Sequence, residues 1–123
     1  MAILVFAETV YAFTMSEKIV VGDDVIMVAR CCAGGLSTHQ RIDCINDRLS
    51  RIISYENLSP ENIRVSRLGG EVVIMVGKEL FLTVTPADAR ANNTDVISLA
   101  NRWKRNAQAV LYKARPSPTR RLP

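Results

Sequence analysis

Two hydrophobic rhythms run along the chain, and each predicts its own kind of element. In Lys18–Val28 (KIVVGDDVIMV) two β-branched runs flank Gly22-Asp23-Asp24, a turn-forming cluster, so the stretch reads as a hairpin. The second run, Val25–Cys31, is apolar almost throughout, as expected of a strand covered on both faces or central in its sheet. After Gly34-Gly35 the rhythm changes. Ser37 and Gln40 have the S-x-x-Q spacing of a capping box, and Ile42, Ile45, Leu49, Ile52 and Ile53 follow at helical intervals as one apolar stripe. Arg41, Asp43, Asp47, Arg48 and Arg51 are expected to leave that stripe for water. The helix should end near Tyr55, ahead of Asn57 and Pro60.

Beyond it, Ile63, Val65 and Leu68, interrupted by Arg64 and Arg67, form a short, mixed strand, and Gly69-Gly70 turns the chain. Glu71–Val76 and Glu79–Val84 are two strong strands joined by the two-residue connection Gly77-Lys78. Leu80, Leu82 and Val84 are predicted to face the core, and Phe81 and Thr83 the outside. Thr85-Pro86-Ala87-Asp88 combines a cap, a proline at the first helical position and an acid at the third, predicting a turn or so of helix before Asn92-Asn93 interrupts. Thr94 is expected to cap a last helix, with Asp95 at its positive end. Its buried stripe is Val96, Leu99, Ala100, Trp103, Ala107, Val110 and Leu111.

These elements predict an α+β fold: a small sheet of three to five strands with two amphipathic helices packed on one face, in the order β-hairpin, α, β-β-β, α. Residues 18–112 form the single domain. Residues 1–17 read as an N-terminal arm or the remnant of an export signal, and residues 113–123 as a basic tail rich in Pro and Arg. At 123 residues the chain is long enough for a core without metal or disulfide staples. Apolar residues at 48% and charged residues at 23% are ordinary globular usage.

The net charge of +4 changes this picture less than its sign implies. Four basic residues, Lys113, Arg115, Arg120 and Arg121, lie beyond position 112 with no acid among them; setting them aside from the 16 leaves 12 against 12 acids, a neutral body. These four are the candidate polyanion contacts, but a nucleic-acid module focuses its basic residues on a structured face, and that pattern is absent. At the other end, Val5-Phe6-Ala7 and Val10-Tyr11-Ala12 fit the small-residue rule for signal-peptide cleavage, although Glu8 breaks the apolar run and no basic region leads it. No segment has the roughly 20 apolar residues that span a bilayer.

Candidate chemistry is sparse. Cys31, Cys32, His39 and Cys44 match no zinc-ligand spacing. In an exported protein a bridge from Cys31 or Cys32 to Cys44 is open, with Cys32–Cys44 as the candidate disulfide. His39 and Cys44 are five residues apart on a helix and face different directions, so they make a poor nucleophile–base pair. Gly34-Gly35 sits between strand and helix but lacks the phosphate-loop pattern. Asp43 and Asp47 have Arg48 and Arg51 as neighbours, which favours surface ion pairs over a cation site. No catalytic, metal or cofactor residue is assigned.

Several stretches carry a resemblance: Ala33-Gly34-Gly35-Leu36-Ser37 with Gln40-Arg41, Ile45-Asn46-Asp47-Arg48-Leu49, Asn62-Ile63-Arg64-Val65, Ile74-Met75-Val76-Gly77, Leu82-Thr83-Val84-Thr85-Pro86-Ala87-Asp88-Ala89 and Leu99-Ala100-Asn101-Arg102-Trp103. Through them the run Val25–Val110 resembles a family of small, mostly uncharacterised secreted bacterial α+β proteins. It is also similar to the extracytoplasmic N-terminal domain of some small-conductance mechanosensitive channel proteins. The resemblance implies a secreted or periplasmic non-catalytic accessory domain with a protein, envelope or small-ligand partner. The channel's pore helices are absent from this sequence. The rival expectation is a cytoplasmic nucleic-acid-associated protein that binds through the basic tail.

Overall fold

The computed structural model describes residues 17–21, 24–29 and 35–114. Over these residues the fold is α+β. Strands β1 (Glu17–Val21) and β2 (Asp24–Ala29) precede helix α1 (Thr38–Tyr55). A 3-10 turn at Pro60–Asn62 leads into β3 (Ile63–Leu68), β4 (Glu71–Val76) and β5 (Glu79–Val84), and helices α2 (Pro86–Ala91) and α3 (Val96–Ala114) complete the order. The five strands divide into two antiparallel sheets, a two-stranded ladder β1-β2 and a three-stranded sheet β3-β4-β5.

Both long helices serve one core. Helix α1 packs against β5 and β1, while α3 packs against β2, β3 and β4. Ile42, Ile45, Leu49 and Ile52 of α1 and Leu99, Ala100, Trp103, Ala107, Val110 and Leu111 of α3 join Ile19, Ile26, Ile63, Ile74, Leu82 and Val84 in a single cluster. Each fully enclosed Ile or Leu contributes on the order of 1.5–3 kcal/mol by leaving water, so the two stripes are what holds the sheets together. Val25, expected in a strand covered on both faces, is 39% exposed opposite Val20, itself 41% exposed, so the β1-β2 ladder leaves this part of one face open to solvent.

Each sheet contains one bulge, and the two are handled alike. In the first ladder Ile19 pairs with Met27 and Val20 with Val25, which leaves Ile26 as the extra residue. In the second, Ile74 pairs with Leu82 and Met75 with Leu80, which leaves Phe81. An extra residue loses its ladder partner and turns to the other face. This overturns the simple alternation predicted for β5: Phe81 is fully buried, and Leu80 is half-buried. In both cases a helix side chain takes up the bulge carbonyl. Asn106 of α3 donates to the Ile26 carbonyl at 3.0 Å, and Arg48 of α1 reaches the Phe81 carbonyl at 3.5 Å, the outer limit of such a bond.

The helix ends follow local chemistry. Ser37 Oγ accepts from the Gln40 backbone N–H at 3.2 Å and Gln40 Oε1 accepts from the Ser37 N–H at 2.9 Å, the reciprocal box that opens α1. At α3 the capping residue is Asp95 rather than Thr94: its carboxylate accepts from the Ser98 backbone N–H at 2.8 Å and from the Ser98 hydroxyl at 2.9 Å. Helix α3 continues to Ala114, past the boundary expected at 112, so Lys113 is a helical residue. No helix among the described residues is long and apolar enough to cross a membrane.

Candidate functional site

The two outer edges of the three-stranded sheet differ, and the difference begins with the side chains of α1. Arg41 was expected in water; it is 6% exposed. It occupies the first turn of α1 four residues before Ile45, on the flank of the apolar stripe, which carries its guanidinium toward β5 and α2. There Nη1 and Nη2 donate to the two carboxylate oxygens of Asp88 at 2.6 and 2.5 Å, and Nη2 also donates to the Thr83 carbonyl at 3.0 Å. Arg48, two turns further along α1, reaches the Phe81 carbonyl, so both β5 carbonyls face α1. Arg41 and Arg48 thus border this edge and occupy its outward carbonyls, one of the ways sheet edges are protected.

Asp88 is 1% exposed and belongs to a second motif as well. It closes the capping box of α2, where its Oδ2 accepts from the Thr85 N–H at 2.9 Å and from the Thr85 hydroxyl at 3.0 Å. Burial pushes the carboxyl up, but the hydrogen bonds from Arg41 and Thr85, with the guanidinium charge beside it, outweigh burial and hold its pKa below the ordinary aspartate value. A planar guanidinium with two parallel bonds to a carboxylate is a strong, geometrically fixed pair. Among the described residues every buried side-chain nitrogen and oxygen has a partner.

Beside this pair lies an open cleft of about 240 Å³, with Cys44, Arg48, Glu71 and Thr83 on its walls. Cys44 is an exposed free thiol. Cys31 and Cys32 lie outside the described residues, and with them the candidate Cys32–Cys44 bridge. His39 faces solvent and meets Asp43 one turn later at 3.5 Å. Among the described residues no group of three His, Cys, Asp or Glu side chains is placed to hold a metal ion. Of the basic residues assigned to the tail, Lys113 meets Asp24 of β2 at 3.2 Å on the exposed surface; Arg115, Arg120 and Arg121 lie outside the described residues.

The opposite edge, along β3, has no strand beside it among the described residues. Gly77 donates its N–H to the Asn62 carbonyl at 2.9 Å, which makes that facing couple a hydrogen-bonded one. Strict alternation then turns the backbone of Arg64, Ser66 and Leu68 toward β4, and that of Ile63, Val65 and Arg67 outward. Gln108 of α3 bears this out by donating to the outward Ile63 carbonyl at 3.1 Å. The N–H and C=O groups of Val65 and Arg67 remain on the open edge. Arg64 and Arg67 are exposed, as is Leu68 at 55%. Sequence reasoning placed β3 but not its edge, because neighbours in a sheet are not visible in a strand's own residues.

No curated protein and no solved structure matches the chain. One family model, described as a domain of unknown function (DUF8459), matches residues 17–114, from the first residue of β1 to the last of α3. The chain belongs to the DUF8459 family.

Proposed function

We propose that this domain is a non-catalytic interaction module that acts outside the cytoplasm and holds a protein or envelope partner through its sheet. The observation that carries the reading is the inequality of the two sheet edges. The β5 edge is bordered by Arg41 and Arg48 of α1, whereas the β3 edge offers the backbone groups of Val65 and Arg67. Polar chemistry in the interior supports the same reading, since Arg41, Asp88 and Thr85 satisfy one another in a structural node. The extracytoplasmic setting is supported by the two small-residue cleavage patterns near the N-terminus and by the resemblance to secreted bacterial domains.

Two measurements test it. Fractionation of the source cells, followed with an antibody to residues 17–114, should recover the protein outside the cytoplasm; recovery with cytoplasmic markers overturns that half of the reading. Photo-crosslinkers placed one at a time at Tyr55, Arg67, Ile97 and Tyr112, all surface positions, should give a discrete protein adduct from at least one. No adduct from any of them overturns the interaction module. Retention on duplex DNA that falls steeply as salt rises would replace it with a polyanion-binding protein.

A further inference from the structure

We infer that the β3 edge takes an extended acidic strand whose two carboxylates stand three residues apart, one for each of Arg64 and Arg67. The inference rests on the interaction reading above and deepens it by naming the site and the chemistry of the partner. An added strand would pair its backbone with the outward groups of Val65 and Arg67, the mode in which an edge supplies affinity through main-chain hydrogen bonds and specificity through alternate side chains. Arg64 and Arg67 are separated by an odd number of positions, so their side chains leave opposite faces of the sheet. A strand lying alongside has the same alternation. Its carboxylates reach both arginines only if they too are an odd number apart, and the equal rise of the two strands sets that number at three.

The surroundings favour an acidic occupant over a second copy of this strand. β3 itself reads IRVSRL and carries two positive charges and no acid, so self-pairing would bring like charges together across the new ladder. Lys78, exposed in the β4–β5 turn near Arg64, adds a third positive charge at one end. Two acids stand near these three bases: Glu71, across from Leu68, bounds the basic stretch at the far end, and Glu56 lines the recess of Arg64 and Lys78, so Arg67 is the base of the edge with the least local compensation. Arg64 donates to the Gly77 carbonyl at 3.1 Å, which anchors its guanidinium at the start of the edge while leaving further N–H donors for a carboxylate. Leu68 gives the incoming strand an exposed apolar contact at the far end.

The test uses the full chain and capped octapeptides of valine and threonine carrying two glutamates. With the glutamates three apart, titration should shift the backbone amide signals of Val65 and Arg67 and slow their hydrogen exchange. Moving the glutamates to two apart places both on one face and should weaken binding by about tenfold, as should N-methylation of the peptide groups that would face β3. Arg64→Glu with Arg67→Glu should abolish binding of the acidic peptide and admit its lysine counterpart. Arg64→Glu gives up the bond to the Gly77 carbonyl, so a somewhat lower melting temperature is expected, and a single cooperative transition together with unshifted amide signals in α1 and α3 shows that the variant is folded. Shifts mapped to another surface overturn this assignment while leaving the interaction module standing. Amides of Val65 and Arg67 already protected without peptide would show the edge filled by the chain itself or by a second copy, and would also overturn it.

Discussion

Arg41 and Asp88, 47 residues apart in the chain, meet through two hydrogen bonds of 2.6 and 2.5 Å in a place that excludes water. The carboxylate that receives the guanidinium also closes the capping box of α2, and the guanidinium donates to the Thr83 carbonyl of β5, so the pair ties α1, β5 and α2 together. Removing either member leaves the other charge buried beside an apolar core. Asp88→Ala and Arg41→Leu are each expected to lower the unfolding free energy by about 3–5 kcal/mol, read from urea denaturation. The double variant should lose clearly less than the two singles combined. Additive losses would show that the two charges act independently.

The same pair gives stability a definite dependence on pH. Because the Asp88 pKa is lowered in the folded chain, the unfolded chain binds the proton more readily. Its contribution is therefore complete above the unfolded value of about 3.9 and is lost as pH falls through the folded one. Urea midpoints measured from neutral pH downward should hold steady and then decline below about pH 4. Asp88→Asn should start lower and decline less steeply, and equal slopes for the two proteins would remove Asp88 as a source of the acid sensitivity.

How much of this was legible in the sequence depends on the range of each interaction. Ser37 with Gln40 and Thr85 with Asp88 are contacts three residues long, so residue type and spacing were enough to place both caps. The apolar stripes of α1 and α3 were legible because burial follows the helical period. Arg41 was not, although a signal existed: Arg41, Ile45 and Leu49 are spaced by four, which puts an arginine in line with the stripe. Such a residue is either misplaced or paired, and its partner lies on a different element. The bulges at Ile26 and Phe81 were hidden for a similar reason. Register is a relation between strands, and β5 alternates in sequence whether or not one residue is squeezed out.

The start of α3 separates two adjacent capping candidates. Asp95 holds the Ser98 N–H and hydroxyl, and those bonds keep its carboxyl below the ordinary value; Thr94 contributes its own backbone N–H to the Ala89 carbonyl at 2.9 Å. Asp95→Ala should lower the urea midpoint measurably, and Thr94→Ala should lower it less. The reverse order would return the cap to Thr94.

The bulge at Ile26 offers a test of whether α3 is bound to the first sheet by more than apolar contact. Asn106 donates to a carbonyl whose residue is fully enclosed, so Asn106→Leu leaves that oxygen without its side-chain donor. A loss of about 1–3 kcal/mol is expected, with faster hydrogen exchange spreading through β1 and β2. Retained stability would mean that burial of Ile26 suffices to fix the bulge.

Two turn glycines with nearly the same backbone angle allow conformation to be separated from crowding. Gly69 and Gly77 have φ of +60° and +58°, a region costly to any residue with a Cβ. A methyl group at 69 would meet open space, whereas one at 77 would run into the side chains of Glu56 and Asn62. Gly69→Ala should therefore cost about 1–2 kcal/mol from conformation alone. Gly77→Ala should cost more, because its Cβ would overlap the Glu56 carboxylate and also press on Asn62 Nδ2. Shortening the first of these neighbours discriminates the two contributions. In a Glu56→Ala background the penalty at 77 should fall toward that at 69, and a penalty unchanged by that background would show that Asn62, rather than Glu56, sets the limit on the β4–β5 turn.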